Sequence, residues 1–273
     1  MIKNISTLYF SGTGTTKKVV LSLAENLSKK MGESIAISHK DFSLPAGREE
    51  APSFNEDDIV IVGVPVYAGR VPNVLLKYLN SVKGNGALAV AVVLYGNRNY
   101  DDGLIELADI LQEDGFKVVA AGAFIGEHSF SDILAKNRPD ERDMKIVADF
   151  AGDIYNKIAN NEVFPDLLVT GEKPYRKYYQ PKDRYGNPFE FRLITPQTNK
   201  ETCIDCKLCA EICPMGSISF DDTSVLTGIC IKCCACVKGC PVGAKYFDDV
   251  NYIKHQKELE EIYAERREPE IFI

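Results

Sequence analysis

Eight of the chain's nine cysteines fall into two copies of one spacing, the second 27 residues after the first. The first run is Cys203, Cys206, Cys209 and Cys213, followed by Pro214. The second is Cys230, Cys233, Cys236 and Cys240, followed by Pro241. Each reads C-x2-C-x2-C-x3-C-P. Thiolates are soft ligands that suit iron–sulfur clusters, and in this spacing the fourth cysteine of each run serves the other cluster. The spacing predicts one [4Fe-4S] cluster on Cys203, Cys206, Cys209 and Cys240. It predicts a second on Cys230, Cys233, Cys236 and Cys213. The x2 gaps let three thiolates of one tight loop reach three corners of a cube. The x3 gap and its proline turn the fourth toward the neighbouring site. Zinc is the competing reading, but zinc spacings group cysteines in twos rather than as three plus one. The repeat also aligns Ile204 with Ile231, Pro214 with Pro241 and Gly216 with Gly243. Cys234 aligns with Lys207 and is expected to fill space beside the second cluster.

A chain of 273 residues has room for two domains, and 45% apolar content provides a core. The formal charge of −7 argues against non-specific nucleic-acid binding and suits redox partner proteins with basic patches. No apolar run reaches the length of a membrane span, and the first ten residues read as a strand rather than a leader. Cysteine-rich chains of this kind favour metal or redox chemistry in a reducing cytoplasm. The lability of clusters adds the expectation of a cell that meets little oxygen.

Residues 1–164 alternate strand-like and helix-like segments. The strand candidates are Ile5–Phe10, Ser34–Ser38, Asp58–Val64, Ala87–Tyr95 and Lys117–Ile125. The third and fourth are continuous apolar runs, as in central strands buried on both faces. Thr16–Met31 carries Val19, Val20, Leu23, Leu27 and Met31 at helical spacing. Further helices are expected over Pro72–Val82, Asp101–Asp114 and Pro139–Ala159. Five alternating strands imply a doubly wound parallel sheet of order 2-1-3-4-5. Residues 165–200 are rich in proline, tyrosine and basic residues and are expected to form an extended connector packed on one or both domains. Residues 201–247 form the cysteine domain, and 248–273 are expected to hold a charged helix.

The segment Leu8–Lys18 runs from a strand through a Gly/Ser/Thr loop into a helix, which makes an anion site. A Walker A loop is excluded because Lys18 follows Lys17, and a dinucleotide fingerprint would need glycine at 17. Ser11, Thr13, Gly14, Thr15 and Thr16 instead suit a monoester phosphate. Two more loops leave the C-terminal ends of strands near the predicted switch point, where ligands bind in open α/β sheets. One holds Pro65, Tyr67, Ala68 and Gly69; the other holds Gly96, Asn97 and Tyr100. Both tyrosines could stack on a flat heterocycle, and Asn97 could bond its polar edge. His128, after the fifth strand, reads as a hydrogen-bonded loop histidine or a contact to the ring edge. His39 and His255 suggest no role.

Residues 1–164 resemble a flavodoxin on the strength of Ser11–Thr16, and residues 201–247 resemble bacterial two-cluster ferredoxins with every ligand present. The whole chain is similar to flavodoxin–ferredoxin fusion proteins. The resemblance implies a flavodoxin-like five-stranded α/β domain followed by a small α+β dicluster domain. It also implies FMN, with Tyr67 and Tyr100 in the loops flanking the ring and Ala68–Gly69 near its reactive nitrogen. An electron carrier is the expected function, since no acid–base constellation stands out. Two rivals stay open: an FMN/iron–sulfur reductase of a small substrate, and a flavin-free docking module carrying a ferredoxin. A homodimer is compatible with the sequence.

Overall fold

The computed structural model describes residues 2–32, 35–160, 163–183 and 185–273. Ser34, expected in the second strand, lies outside these residues. The N-terminal half runs β1 (Asn4–Tyr9), α1 (Thr15–Met31), β2 (Ala36–Asp41), β3 (Asp58–Pro65), α2 (Asn73–Leu79), β4 (Leu88–Tyr95), α3 (Gly103–Glu113), β5 (Lys117–Ile125) and α4 (Glu141–Asn160). Then follow β6 (Gln197–Thr198), α5 (Leu208–Glu211), α6 (Ala235–Lys238), β7 (Lys245–Tyr246), α7 (Val250–Ile262) and β8 (Glu270–Phe272).

The sheet order is β2-β1-β3-β4-β5-β8. The first five strands pair in parallel, as expected. Side-chain alternation splits the core in two. Val60, Val62 and Val64 of β3 face the layer of α2 and α3, whereas Ile59 and Ile61 face the layer of α1 and α4. Gly63 lets α1 approach closely, because a β-carbon there would lie 2.3 Å from Val20 Cγ2. β2 is a largely exposed edge of polar residues, which protects it from pairing with another chain.

The sixth strand differs from the expectation of five. β8 pairs antiparallel with β5, matching Ala121 with Phe272 and Ala123 with Glu270. The final segment, expected as a helix, therefore holds both a helix and a strand. A run of three residues lacks the length and alternation that mark a strand in sequence. The segment leading into it, at Arg266 and Arg267, is held by side chains far away in sequence. Arg138 donates to Asp143 through Nε at 2.8 Å and through Nη2, and through Nη1 to Arg267 O at 2.7 Å. Arg266 reaches Asp140 at 2.7 Å and Asp143 at 3.2 Å.

The cysteine domain carries its 27-residue repeat into the backbone. Asp205 and Lys232 share φ values of 53° and 54°, and Lys207 and Cys234 share 62° and 59°. Gly216 and Gly243 are also left-handed, and α5 and α6 occupy equivalent places. β6 and β7 join the start and end of this unit.

The Arg138–Asp143 pair is almost fully buried. Removing one partner of such a pair leaves an uncompensated charge. Arg138→Ala is expected to lower unfolding stability by about 3 kcal/mol in denaturant titration; a loss below about 1 kcal/mol would mean the pair does not anchor the C-terminal segment.

Candidate cofactor site

A cavity of about 250 Å³ lies beyond the C-terminal ends of the central strands. Its walls come from the loop after β1 and the start of α1 (Thr13, Thr15, Thr16), the end of β3 and the loop after it (Pro65, Tyr67, Ala68, Gly69) and the loop after β4 (Gly96, Arg98). The loop after β5 contributes Glu127 to Phe130.

The first loop has the features of an anion cradle. Gly14, at φ 90°, ends the loop at the N-cap of α1 and has no side chain of its own with which to cap the helix. Ser11 Oγ accepts from Lys17 N at 3.2 Å, and Ser11 N donates to Ser43 Oγ at 2.8 Å. Thr13 and Thr15 line both the large cavity and a neighbouring hollow; Gly14 lines that hollow but not the large cavity, and Ser11 lines neither, facing the adjoining surface. The second loop is a tight hairpin, with Tyr67 and Arg70 exchanging main-chain hydrogen bonds around Ala68 and Gly69 at positive φ. Gly69 is required, since a β-carbon would fall 2.4 Å from Asp101 Oδ2.

Two residues expected at the ring lie elsewhere. Tyr100 is buried in the core against Tyr95, with ring centroids 5.6 Å apart, and its hydroxyl donates to Glu270 at 2.6 Å. Asn97 is buried and holds the C-terminal segment. Its amide donates to Tyr263 O at 2.7 Å and Glu265 O at 2.8 Å, and its oxygen accepts from Arg267 N at 3.2 Å. Tyr100 thus bonds β8 itself, and Asn97 holds the segment that leads into it.

Beside Tyr67 and Phe130, aromatic residues from segments after residue 165 complete the wall. Tyr179, Phe191 and His255 line the cavity. Tyr179 N donates to Ala68 O at 2.9 Å, and its ring stacks with His255 at 5.9 Å and lies 5.0 Å from the Arg98 guanidinium. The connector is held by Asp102, which accepts from Glu172 N at 2.9 Å and Arg176 N at 2.7 Å. The Arg70 guanidinium stacks on Tyr175 and Tyr178 at 4.6 and 5.1 Å. The density of tyrosine in residues 165–200 was the available signal, and it pointed to packing without saying against what.

The cysteines surround two further cavities. The inner one is lined by Cys213, Cys230, Cys233 and Cys236, together with Cys234. The outer one is lined by Cys203, Cys206, Cys209 and Cys240. Each combines three cysteines of one run with the fourth of the other. Among the described residues no group of His, Cys, Asp or Glu side chains converges on a point suited to a single metal ion. The thiols instead line the walls of a space. Main-chain amides point at equivalent sulfurs, Ser217 N to Cys213 Sγ at 3.3 Å and Ala244 N to Cys240 Sγ at 3.2 Å. Burial pushes the thiols of Cys233 and Cys236 up to about 12. A cationic centre inside the cavity would offset that penalty and hold them as thiolates, so the donor set fits an iron–sulfur group. Cys234 is buried, caps α6 and lies 3.4 Å from the Tyr252 hydroxyl.

The inner and large cavities share a wall of Ile231, Lys232 and Cys233. A β-carbon on Gly12 would stand 3.1 Å from Cys233 Cβ, so the anion loop and the cysteine loop touch. The contact is clamped on both sides. Lys238 donates to Glu127 at 2.9 Å, Asp132 at 2.6 Å and Ser131 O at 2.6 Å, and Arg48 donates to Pro214 O at 2.5 Å.

Two family models match the chain, a flavodoxin domain over residues 7–126 and a 4Fe-4S binding domain over residues 196–219. The second covers Cys203–Cys213 and ends before the second cysteine run. Among solved structures, a flavodoxin from the domain Archaea is 16% identical, with 57% of this chain and 99% of that one covered and a TM-score of 0.40. A Streptococcus pneumoniae flavodoxin is 16% identical, with coverage of 56% and 99% and a TM-score of 0.38. A Fusobacterium nucleatum flavodoxin mutant bound to flavin mononucleotide is 19% identical, with coverage of 58% and 95% and a TM-score of 0.35. No curated protein matches the chain.

His128 lies against the cavity, where its Nδ1 accepts from Phe130 N at 3.1 Å. Burial, reinforced by His255, Lys238 and Arg98, lowers it to about 4. A histidine depressed in the folded state binds its proton more readily when unfolded, so stability is lost as pH falls from about 6.5 toward 4. His128→Gln is expected to flatten that part of a stability–pH profile; an unchanged slope would show that other groups carry it.

Proposed function

Because the chain is a fusion of a flavodoxin domain with a 4Fe-4S ferredoxin-type domain, we propose that it is an intramolecular electron relay. The large cavity takes FMN, and the two thiol cavities take one [4Fe-4S] cluster each. The single observation that carries this reading is the shared wall at Cys233, which separates the large cavity from the inner thiol cavity by one residue. When bound, a flavin exchanges electrons singly or in pairs, whereas a cluster exchanges one.

The chain's own residues give this relay a direction in space. Thr13, Thr15, Thr16 and the free amides of α1 hold the phosphate, and the hairpin of Tyr67 to Gly69 meets the ring. Tyr179, Phe191 and His255 close the cavity against water. The inner thiols are largely buried, and those of the outer set reach the surface at Cys206. Ile204 and Val242, both exposed, flank that outer cavity. A redox partner would therefore meet the outer centre, and the inner one would connect it to the flavin. The proposed units are 1–164, 165–200, 201–247 and 248–273, in a cytoplasmic protein.

Anaerobically prepared protein is expected to contain about eight irons and about one FMN per chain. Full iron with no flavin, even after FMN is added, would leave a ferredoxin on a flavodoxin-shaped support. Cys240→Ala is expected to remove about half the iron, to spare the flavin and the inner centre, and to block electron delivery to an external acceptor. Loss of the Cys230-based centre alone would sink the crossed ligand assignment.

A further inference from the structure

Lys232 stands where the large cavity meets the inner thiol cavity and lines both. It is only 7% exposed. Its ammonium donates to two main-chain carbonyls, Arg192 O at 2.8 Å and Cys230 O at 3.1 Å, and lies 5.7 Å from the Phe191 ring. Among the described residues it has no carboxylate in ion-pair range. Lys238, at the same interface, has two, Glu127 and Asp132. Arg98, elsewhere in the wall of the large cavity, is paired with Asp101.

Burying an ammonium without a counter-charge is costly, and the described residues supply none here. The fold does not demand a lysine. The repeat places Asp205 at the equivalent position with the same left-handed backbone, φ 53° against 54°, and there the side chain is exposed and paired with Lys207. One repeat thus carries an acid facing solvent where the other carries a base between two cavities. Both cavities fit groups that gain negative charge on reduction. A tetrathiolate cluster is already anionic before it accepts an electron.

We propose that Lys232 is a counter-charge shared by the two centres, a fixed cation in their common wall that favours an electron on either side. This rests on the flavin and cluster reading above. Lys232 takes no part in binding either group through a bond of its own. It acts as a positioning charge that draws both potentials up together and so keeps them matched.

The test is an anaerobic redox titration of the full chain, following flavin absorbance and the electron paramagnetic resonance of the reduced clusters. Lys232→Gln is expected to lower the potentials of the flavin and the inner cluster, each by about a tenfold change in the reduced-to-oxidised ratio, 59 mV for a one-electron couple. The outer cluster is expected to move much less. Lys232→Arg, which keeps the charge, is expected to hold both near the wild-type values. Lys232→Asn, whose side chain tolerates left-handed backbone, replaces the Gln variant if that one fails to load its groups. A shift of the cluster alone, no shift of either, or an equal shift in the Arg variant would overturn the proposal. Wild-type protein that retains no flavin after FMN addition would overturn the underlying cofactor reading instead, which separates the two failures.

Discussion

The close approach of Gly12 to Cys233 is the contact on which the rest depends. Glycine at this position lets the anion loop lie directly on the cysteine loop, because an added β-carbon would stand 3.1 Å from Cys233 Cβ, tighter than ordinary van der Waals contact, and one of the loops would have to give way by a few tenths of an ångström. This places two kinds of site against each other instead of at opposite ends of a tether. The clamps on either side, Lys238 to the loop after β5 and Arg48 to the main chain at Pro214, fix the orientation with charge-assisted bonds. Without them a contact this small would be one of many arrangements. With them it is part of a continuous packed structure.

The connector completes that structure from the other side. Asp102 is fully buried and accepts two main-chain amides from residues 172–176, so it gives the extended segment hydrogen-bond partners that a helix or strand would otherwise supply. Glu106 fixes Arg70 with two bonds of 2.7 Å, and the guanidinium in turn offers a flat face to Tyr175 and Tyr178. An irregular segment is thereby held as firmly as an element of regular structure. Tyr178 adds a bond from its hydroxyl to Val71 O at 2.8 Å. The wall that faces the large cavity is the product of this anchoring.

What could be read from the residues divides along the range of the interactions involved. The central strands β3 and β4 were legible because both faces are buried and their composition says so. That three thiols of one run would line a cavity with the fourth of the other was legible because three-plus-one spacing is a local geometric statement, repeated at 27 residues. The loops after β1 and β3 were legible as loops because glycine-containing stretches follow apolar strand runs there. Tyr100 and Asn97 were not. Their loop was placed at the correct edge of the sheet, but the partners that turn the two side chains away, Glu270, Tyr263 and Glu265, lie more than 160 positions along the chain. His255 was silent in sequence because its neighbours Tyr179 and Phe130 come from two other segments. Lys232 looked like any residue between cysteines, since its isolation from carboxylates is a property of space.

The antiparallel strand β8 changes how the whole chain is connected. It returns to the sheet begun at residue 4, so everything from α4 to α7, the cysteine repeats included, is threaded between two strands of one sheet. The iron–sulfur unit is in this sense an insertion in the N-terminal fold rather than a tail appended to it. On a ribosome the sheet's last edge could be covered only after both cysteine runs had emerged. Completion of the flavodoxin fold and assembly of the cysteine loops are therefore events of one process, and a chain with poorly formed cysteine loops would leave the edge of β5 open to other strands.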